Sequence, residues 1–373
     1  MKNTSIPFVD LHAQYLTIKS GIDTAIADVI KNSSFIRGSH VESFERDFGN
    51  LIGSAHCVSC ANGTDSLYIA MTALQLKDGD EVLVPAMSWI STSETVTQAG
   101  GIPIFCDVDP ITYTIDPVSI EQRITDRTVG IIPVHLYGQP ADMGAIMALA
   151  QKHGLWVLED CAQAHLAKFE GQTVGTFGAA GSFSFYPGKN LGAMGDAGAV
   201  VTSDSALAHH MTMFARHGGV RKGDHQIEGI NSRLDGLQAA ILEVKLPRLE
   251  QWTKARQRVA AVYQEKLRNI PGLTLPVVGE GREHVFHLYV VRHARRNELA
   301  KFLSEKGVQT VINYPVSLPF LPAYQRFGHK KEDFPNAYAL QESCLSLPIF
   351  PELTGEQQQY VIDCVAEFCA TAL

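Results

Sequence analysis

Three short segments of this chain carry residue types that do chemistry. A lysine stands between glycines in Phe183-Ser184-Phe185-Tyr186-Pro187-Gly188-Lys189-Asn190-Leu191-Gly192, at the end of an apolar run. An amine in apolar surroundings has a lowered pKa and becomes a nucleophile toward aldehydes. An acidic pair, Glu159-Asp160, closes another apolar run and leads into Cys161-Ala162-Gln163. Open α/β sheets hold ligands at the C-terminal ends of parallel strands, and a carboxylate there can keep a proton on a ring nitrogen. Asn62-Gly63-Thr64 opens a helical pattern. Glycine lets a ligand approach the backbone, and the free N–H groups of a helix start attract phosphate.

Each segment also has a plainer reading. Asn62-Gly63-Thr64 and Asp160 both suit helix N-caps. Asp65 favours the helix dipole but repels a phosphate unless it points away. The lysine segment is not a P-loop, because Phe183 stands where a glycine is required and Asn190 replaces the Ser/Thr that would hold magnesium. Gly192, Gly195 and Gly198 miss the dinucleotide spacing. Cys57-Val58-Ser59-Cys60 lacks a second pair and reads as a buried strand. His209-His210 and His217 have no partners at metal-ligand spacing, and Asp78-Gly79-Asp80-Glu81 reads as a turn. The order of the three segments is more informative than any one of them. A phosphate-binding helix start comes first, then a strand-end carboxylate, then a lysine 29 residues later. Pyridoxal 5′-phosphate (PLP) needs those three things: an anion site, a carboxylate for its ring nitrogen and an amine for its aldehyde.

The elements that must position these residues are legible in outline. Apolar runs at Glu81–Pro85, 102–108, 129–136, 155–159, 182–186 and 199–202 alternate with helical patterns such as 64–76. Strands so continuously apolar are expected in a mostly parallel sheet with helices on both faces. Leu67, Ala70, Met71 and Leu74 give the helical period. The fold class expected is therefore α/β. Residues 1–246 form the large domain with its N-terminal segment. Residues 247–373 form a linker helix and a smaller C-terminal α+β domain, beginning at Pro247, which suits the first turn of a helix. In that part a strand is expected at 285–291, a helix at 297–306, a Pro-rich loop at 314–322 and a closing helix after Thr354.

Composition narrows the function. The 373 residues carry 31 Lys+Arg against 39 Asp+Glu, a net charge of −8, which argues against nucleic-acid or anionic-membrane binding. The longest apolar runs fall short of the roughly 20 residues that span a bilayer, and the N-terminus does not read as a signal peptide. Seven scattered cysteines suit a reduced, cytoplasmic protein.

Taken together, these motifs resemble the DegT/StrS family of sugar aminotransferases, fold type I PLP enzymes. The resemblance runs nearly end to end. It includes Ile6-Pro7-Phe8-Val9-Asp10-Leu11, Phe35-Ile36-Arg37-Gly38, Asn62-Gly63-Thr64-Asp65, Glu159-Asp160 with Gln163-Ala164-His165, and residues 185–192 followed by Gly195-Asp196-Ala197-Gly198. It continues in Arg216-His217-Gly218, Asn231-Ser232-Arg233-Leu234-Asp235 and His287-Leu288-Tyr289. The resemblance implies a sheet of the seven-stranded type. It implies that Lys189 forms the Schiff base with PLP and shuttles the proton. It further implies that Asp160 pairs with the pyridinium, Gln163 with the ring hydroxyl, and that Trp89 stacks on the ring. Gly63, Thr64 and Ser184 match phosphate contacts. Asn231 matches a residue reaching the phosphate from a neighbouring subunit, so a homodimer with shared sites is implied.

The run around Lys189 is similar to members acting on 3-oxo nucleotide sugars such as dTDP-3-oxo-6-deoxyhexoses, with L-glutamate as donor. UDP-linked 3-oxo sugars and 4-oxo sugars are the alternatives, and the product would feed a surface polysaccharide or a glycosylated metabolite. Members often carry His-Tyr-Pro and a second histidine where this chain has Asn313-Tyr314-Pro315 and Pro319. Dehydratase relatives carry a histidine in place of Lys189, and a nicotinamide oxidoreductase would need a glycine-rich first βα turn. A PLP-binding sensor without turnover is the rival from another class.

Overall fold

The computed structural model describes residues 5–371 except Lys222. In chain order its first strands are β1 (His56–Cys60), β2 (Glu81–Pro85), β3 (Ile102–Cys106), β4 (Thr128–Ile131), β5 (Trp156–Asp160), β6 (Lys168–Phe169), β7 (Gln172–Thr173), β8 (Ala180–Ser184) and β9 (Gly198–Thr202). Seven of these form one sheet in the order β1-β9-β8-β5-β4-β2-β3, the α/β architecture expected. The pairs from β8 through β3 are parallel, while β9 is antiparallel to both β8 and β1. The reversal has a local cause. A parallel return needs a crossover, usually a helix. Residues 185–197, between β8 and β9, contain no helix, so the chain turns straight back.

Helices cover both faces. On one side lie α3 (Gly63–Ala73), α4 (Ser91–Gln98) and α7 (Ser205–Phe214), packed through Leu67, Ala70, Met71, Val96 and Met211 onto Val58, Val82, Val84, Leu158 and Val200. On the other, α2 (Ser39–Ile52) and α8 (Gly236–Lys245) bury Val41, Phe44, Phe48 and Leu242 against Phe183, Ala199 and Val201. Farther along that side, α5 (Pro117–Arg123) and α6 (Met143–His153) place Ile120 and Ile146 against Leu83 and Ile131. The split of Ala199 and Val201 from Val200 is the period of two that a strand buried on both faces must show. The N-terminal α1 (Leu11–Asn32) buries only Gln14, Ile22 and Val29. So narrow a stripe gives little periodic signal.

After a short 3-10 turn at Leu246–Arg248, α9 (Leu249–Leu267) leads to β10 (Leu273–Thr274), β11 (Arg282–Glu283), β12 (Tyr289–His293), α10 (Arg296–Glu305), α11 (Pro335–Ser343), β13 (Cys344–Leu347) and α12 (Gly355–Thr371). Strands β10, β12 and β13 make an antiparallel sheet, and β11 pairs with β6 in a second small one. A separate core of Tyr263, Tyr289, Leu299, Leu303, Val361 and Val365 lies here. The strand expected at 285–291 begins only at Tyr289. Val285 and Leu288 give their N–H groups to Gly138 and Tyr137 instead, and Phe286 has φ 46°. This irregular stretch is spent on the loop after β4. Among the described residues no helix is long and apolar enough to cross a membrane.

One buried contact fixes the end of β5. Glu159 is fully buried, and its carboxylate accepts from the N–H groups of Gly175 (2.7 Å), Phe177 (2.8 Å) and Gly178 (2.9 Å). His135 Nε2 lies 3.1 Å away. Ala141 N–H donates to His135 Nδ1, so the ring proton is on Nε2 and points at Glu159. Cys161 lies close enough to complete a metal-like trio. The Glu159 oxygens are already occupied, which makes this a structural anchor. Replacing Glu159 with Leu strands three amides and an imidazole. A loss of about 3–5 kcal/mol in unfolding free energy is expected by urea denaturation, against less than 1 kcal/mol for a surface control such as Glu121→Gln.

Candidate active site

The three segments singled out in the sequence meet at the C-terminal ends of β5 and β8. Lys189 lies on the β8–β9 connection, with its N–H donating to the Tyr186 carbonyl at 2.8 Å. Burial pulls its amine down from 10.5 to about 8, and Asp160 opposes that shift. The two groups are therefore electrostatic neighbours, although 29 residues separate them.

Asp160 ends β5 on the face opposite Glu159, as strand alternation requires. It is 6% exposed. One carboxylate oxygen accepts from Thr92 Oγ1 at 2.9 Å and the other from the Ala162 N–H at 3.1 Å. Burial raises its pKa. The two hydrogen bonds and the charge of Lys189 pull the other way. Its hydrogen bonds leave it ready for a cationic partner, which would reverse the burial penalty.

Gln163 is buried beside it. Its Oε1 accepts from Tyr137 N–H at 2.6 Å, and its Nε2 donates to the Tyr314 hydroxyl at 2.9 Å. Tyr314 packs its ring 5.8 Å from that of Trp89, which is 59% exposed. Burial raises the Tyr314 phenol, so it stays neutral.

The start of α3 faces Ser184 at the end of β8. Asn62 caps the helix, accepting from Asp65 N–H at 2.8 Å. A side chain at Gly63 would put its Cβ 2.5 Å from Ser184 Cβ, so only glycine allows this approach. Thr64 Oγ1 and Ser91 Oγ are 2.7 Å apart. Ser184 Oγ accepts from Tyr186 N–H at 3.3 Å. Asp65 does not compete for an anion, because its carboxylate accepts from Ser232 Oγ at 2.6 Å.

The structure therefore gathers Lys189, Asp160, Gln163, Gly63, Thr64 and Ser184 around the C-terminal ends of β5 and β8, with Trp89 exposed beside Tyr314. Asn231 is different. It is exposed, in a backbone bridge with Arg216, and among the described residues its side chain has no hydrogen bond. Thr92 and Ser91 also face the site and carry no motif in the sequence, and Tyr314 of the Asn313-Tyr314-Pro315 run faces it with them. The signal for Ser91 and Thr92 was weak, since their partners lie 27 and 68 residues away. Elsewhere, Cys57 and Cys60 are free thiols on β1 with pKa values raised by burial, and His209 and His210 lie on α7.

This donor set fits PLP. The helix start and the Thr64, Ser91 and Ser184 hydroxyls suit a phosphate. Asp160 suits a protonated ring nitrogen, and Lys189 an aldehyde.

A family model described as the DegT/DnrJ/EryC1/StrS aminotransferase family matches residues 17–366. The chain is 45% identical over 359 residues to a UDP-N-acetyl-3-dehydro-α-D-glucosamine 3-aminotransferase of Acidithiobacillus ferrooxidans, covering 95% of this chain and 96% of that one. It is 40% identical over 363 residues to a dTDP-3-amino-3,4,6-trideoxy-α-D-glucose transaminase of Streptomyces venezuelae, covering 97% and 96%. The crystal structure of S. venezuelae DesV superposes with a TM-score of 0.96 at 40% identity, covering 98% of both chains. With the cleft, the sheet order and the full-length match in agreement, this chain belongs to the DegT/DnrJ/EryC1/StrS aminotransferase family, fold type I enzymes that depend on PLP.

Proposed function

We propose that this enzyme moves an amino group from L-glutamate to the 3-oxo group of a nucleotide-linked sugar, with a dTDP-linked 6-deoxyhexose as the first candidate. The observation that carries the reading is the amine of Lys189, lowered to about 8 by burial and standing near the buried carboxylate of Asp160. Support for a 3-amino product comes from the relatives above, which include one dTDP-linked and one UDP-linked 3-amino transaminase. The UDP-linked relative makes a UDP-linked 3-oxo sugar the second substrate to try.

In this reading PLP supplies an electron sink that accepts charge when the donor loses its Cα proton. Lys189 Nζ would hold the cofactor through its aldehyde; displaced by the donor's amino group, the freed amine would remove the donor's Cα proton, and in the second half-reaction it would deliver a proton to the sugar carbon that gains the amino group. Asp160, held by Thr92 and the Ala162 amide, keeps the ring nitrogen protonated. Gln163, oriented by the Tyr137 amide, bonds the ring hydroxyl, and Trp89 covers one ring face. Gly63, Thr64 and Ser184 hold the phosphate. Residues 1–246 serve as the cofactor domain and 247–373 as the smaller one, and a cytoplasmic setting suits all of this. The product would serve a surface polysaccharide or a glycosylated metabolite.

We further propose a homodimer whose second subunit supplies Asn231. Exposed Phe35, Ile36, Trp89, Tyr186 and Met194 support it. Two of them sit beside the start of α8: the Phe35 carbonyl accepts from Gly236 N–H at 2.7 Å, and Gln238 Oε1 accepts from Met194 N–H at 2.8 Å. An apolar surface of this kind marks an interaction site.

Three outcomes are expected. L-Glutamate should bleach the visible band of the PLP-loaded protein and raise the ultraviolet band of the aminated cofactor. Lys189→Ala should bind PLP and complete no catalytic cycle, so repeated turnover by that variant sinks the assignment. A band indifferent to glutamate would favour a sensor. Second, in the protein stripped of PLP, Lys189 should be alkylated by formaldehyde with borohydride in proportion to its neutral fraction. The rate should climb with rising pH and be half-maximal near pH 8, as peptide mass spectrometry would show; a midpoint near 10.5 contradicts it. Third, Lys189→Ala and Asn231→Ala subunits mixed and allowed to exchange should regain about a quarter of wild-type activity. Half of such dimers would then hold one site with both residues intact. No gain on mixing would mean that Asn231 does not act across the interface.

A further inference from the structure

Lys245 is the last residue of α8 and is 4% exposed. A buried ammonium is costly unless something specific is bonded to it. Its Nζ donates to the carbonyl oxygen of Gly192 at 2.7 Å. No other hydrogen bond or ion pair of this side chain is found among the described residues. Its nearest counter-charge is Glu352, which also faces Arg256 and Asp10. Burial nonetheless pulls the Lys245 amine down to about 8.

The place of Gly192 gives that bond its meaning. The connection carrying Lys189 is a doubled-back loop. At its neck Ala193 N–H donates to the Phe185 carbonyl at 2.7 Å. One step in, a Cβ on Gly192 would stand 2.2 Å from the Pro187 carbonyl oxygen. Near the tip, Asn190 donates to the Val285 carbonyl at 3.3 Å and meets His287 Nδ1 at 3.2 Å. The amine of Lys189 is therefore set by two holds: Asn190 on the C-terminal segment and Lys245 on the neck. The Lys245 contact spends a charge on a neutral carbonyl, where an apolar side chain would pack at lower electrostatic cost.

We infer that Lys245 is a positioning residue for Lys189: by holding the Gly192 carbonyl, it fixes the direction in which the loop presents the Lys189 amine to an aldehyde. This rests on the reading of Lys189 as the residue that links PLP.

The test compares wild type, Lys245→Met and Lys245→Arg, each stripped of PLP and checked for folding by circular dichroism and melting temperature. PLP is added, and linkage to Lys189 is trapped with borohydride over time and read by peptide mass spectrometry. Total bound PLP is measured separately by equilibrium dialysis. Lys245→Met should bind PLP within threefold of wild type yet link it at least tenfold more slowly, and amides 186–193 should exchange hydrogen faster. Lys245→Arg, which keeps a donor, should recover at least a third of the wild-type linkage rate. If Lys245→Met does not fold, Lys245→Gln is read in the same way. Linkage at the wild-type rate in the folded variant overturns the role of Lys245. So does slow linkage in both Met and Arg variants with unchanged exchange at 186–193. Failure of wild type itself to link PLP at Lys189 overturns instead the reading of Lys189.

Discussion

Adjacent residues of a strand point to opposite faces, and the site depends on that constraint at Glu159 and Asp160. Glu159 turns into the protein, where three backbone amides and His135 hold it. Asp160 turns to the other face, where among the described residues Thr92 and the Ala162 amide bond it. One carboxylate is saturated and therefore inert. The other keeps acceptor capacity and carries a burial penalty that a cationic ring would relieve. A register slip of one residue would exchange the two and destroy both the anchor and the site. The Glu159 amides come from the loop before β8, so the same contact that orients Asp160 also fixes the strand leading to Ser184 and Lys189.

The β8–β9 reversal serves the same end. Had these strands been parallel, a helical crossover would have carried the chain away from the strand ends. The short return keeps Lys189 close to the end of β8 and within electrostatic reach of Asp160. Gly63 and Gly192 make this crowding possible, because a Cβ on either would overlap its neighbour. Glycine here is required by close approach, and neither position lies at positive φ.

Much of this was legible in the sequence, for definite physical reasons. The central strands are buried on both faces, so each reads as an apolar run whose end marks a ligand position. Gly63, Asp160 and Lys189 each sit at such an end or at a helix start. What was not legible depends on long-range pairing. The reversal of β9 leaves no trace in an apolar run, because parallel and antiparallel strands buried on both faces have the same composition. Thr92 and Ser91 look like ordinary residues of a polar helix until β5 and α3 are placed against them. The shift of the expected strand from 285 to Tyr289 has a similar origin. Val285 and Leu288 are as apolar as strand residues but bond to the Tyr137–Gly138 loop instead.

The Asn313-Tyr314-Pro315 run shows how the site can depart from its relatives and still hold its shape. Asn313 does not face the cleft freely. Its Oδ1 accepts from Ser346 Oγ on β13 at 2.9 Å, and its carbonyl accepts from the hydroxyl of Tyr137. The Tyr137 N–H in turn orients Gln163, whose amide reaches Tyr314. These bonds close a loop from the C-terminal sheet through Tyr137 and Gln163 back to Tyr314. A histidine at position 313 would have to remake the bond to Ser346 with a ring nitrogen or turn outward into the cleft. With asparagine, position 313 is committed to tying β13 to the cofactor side.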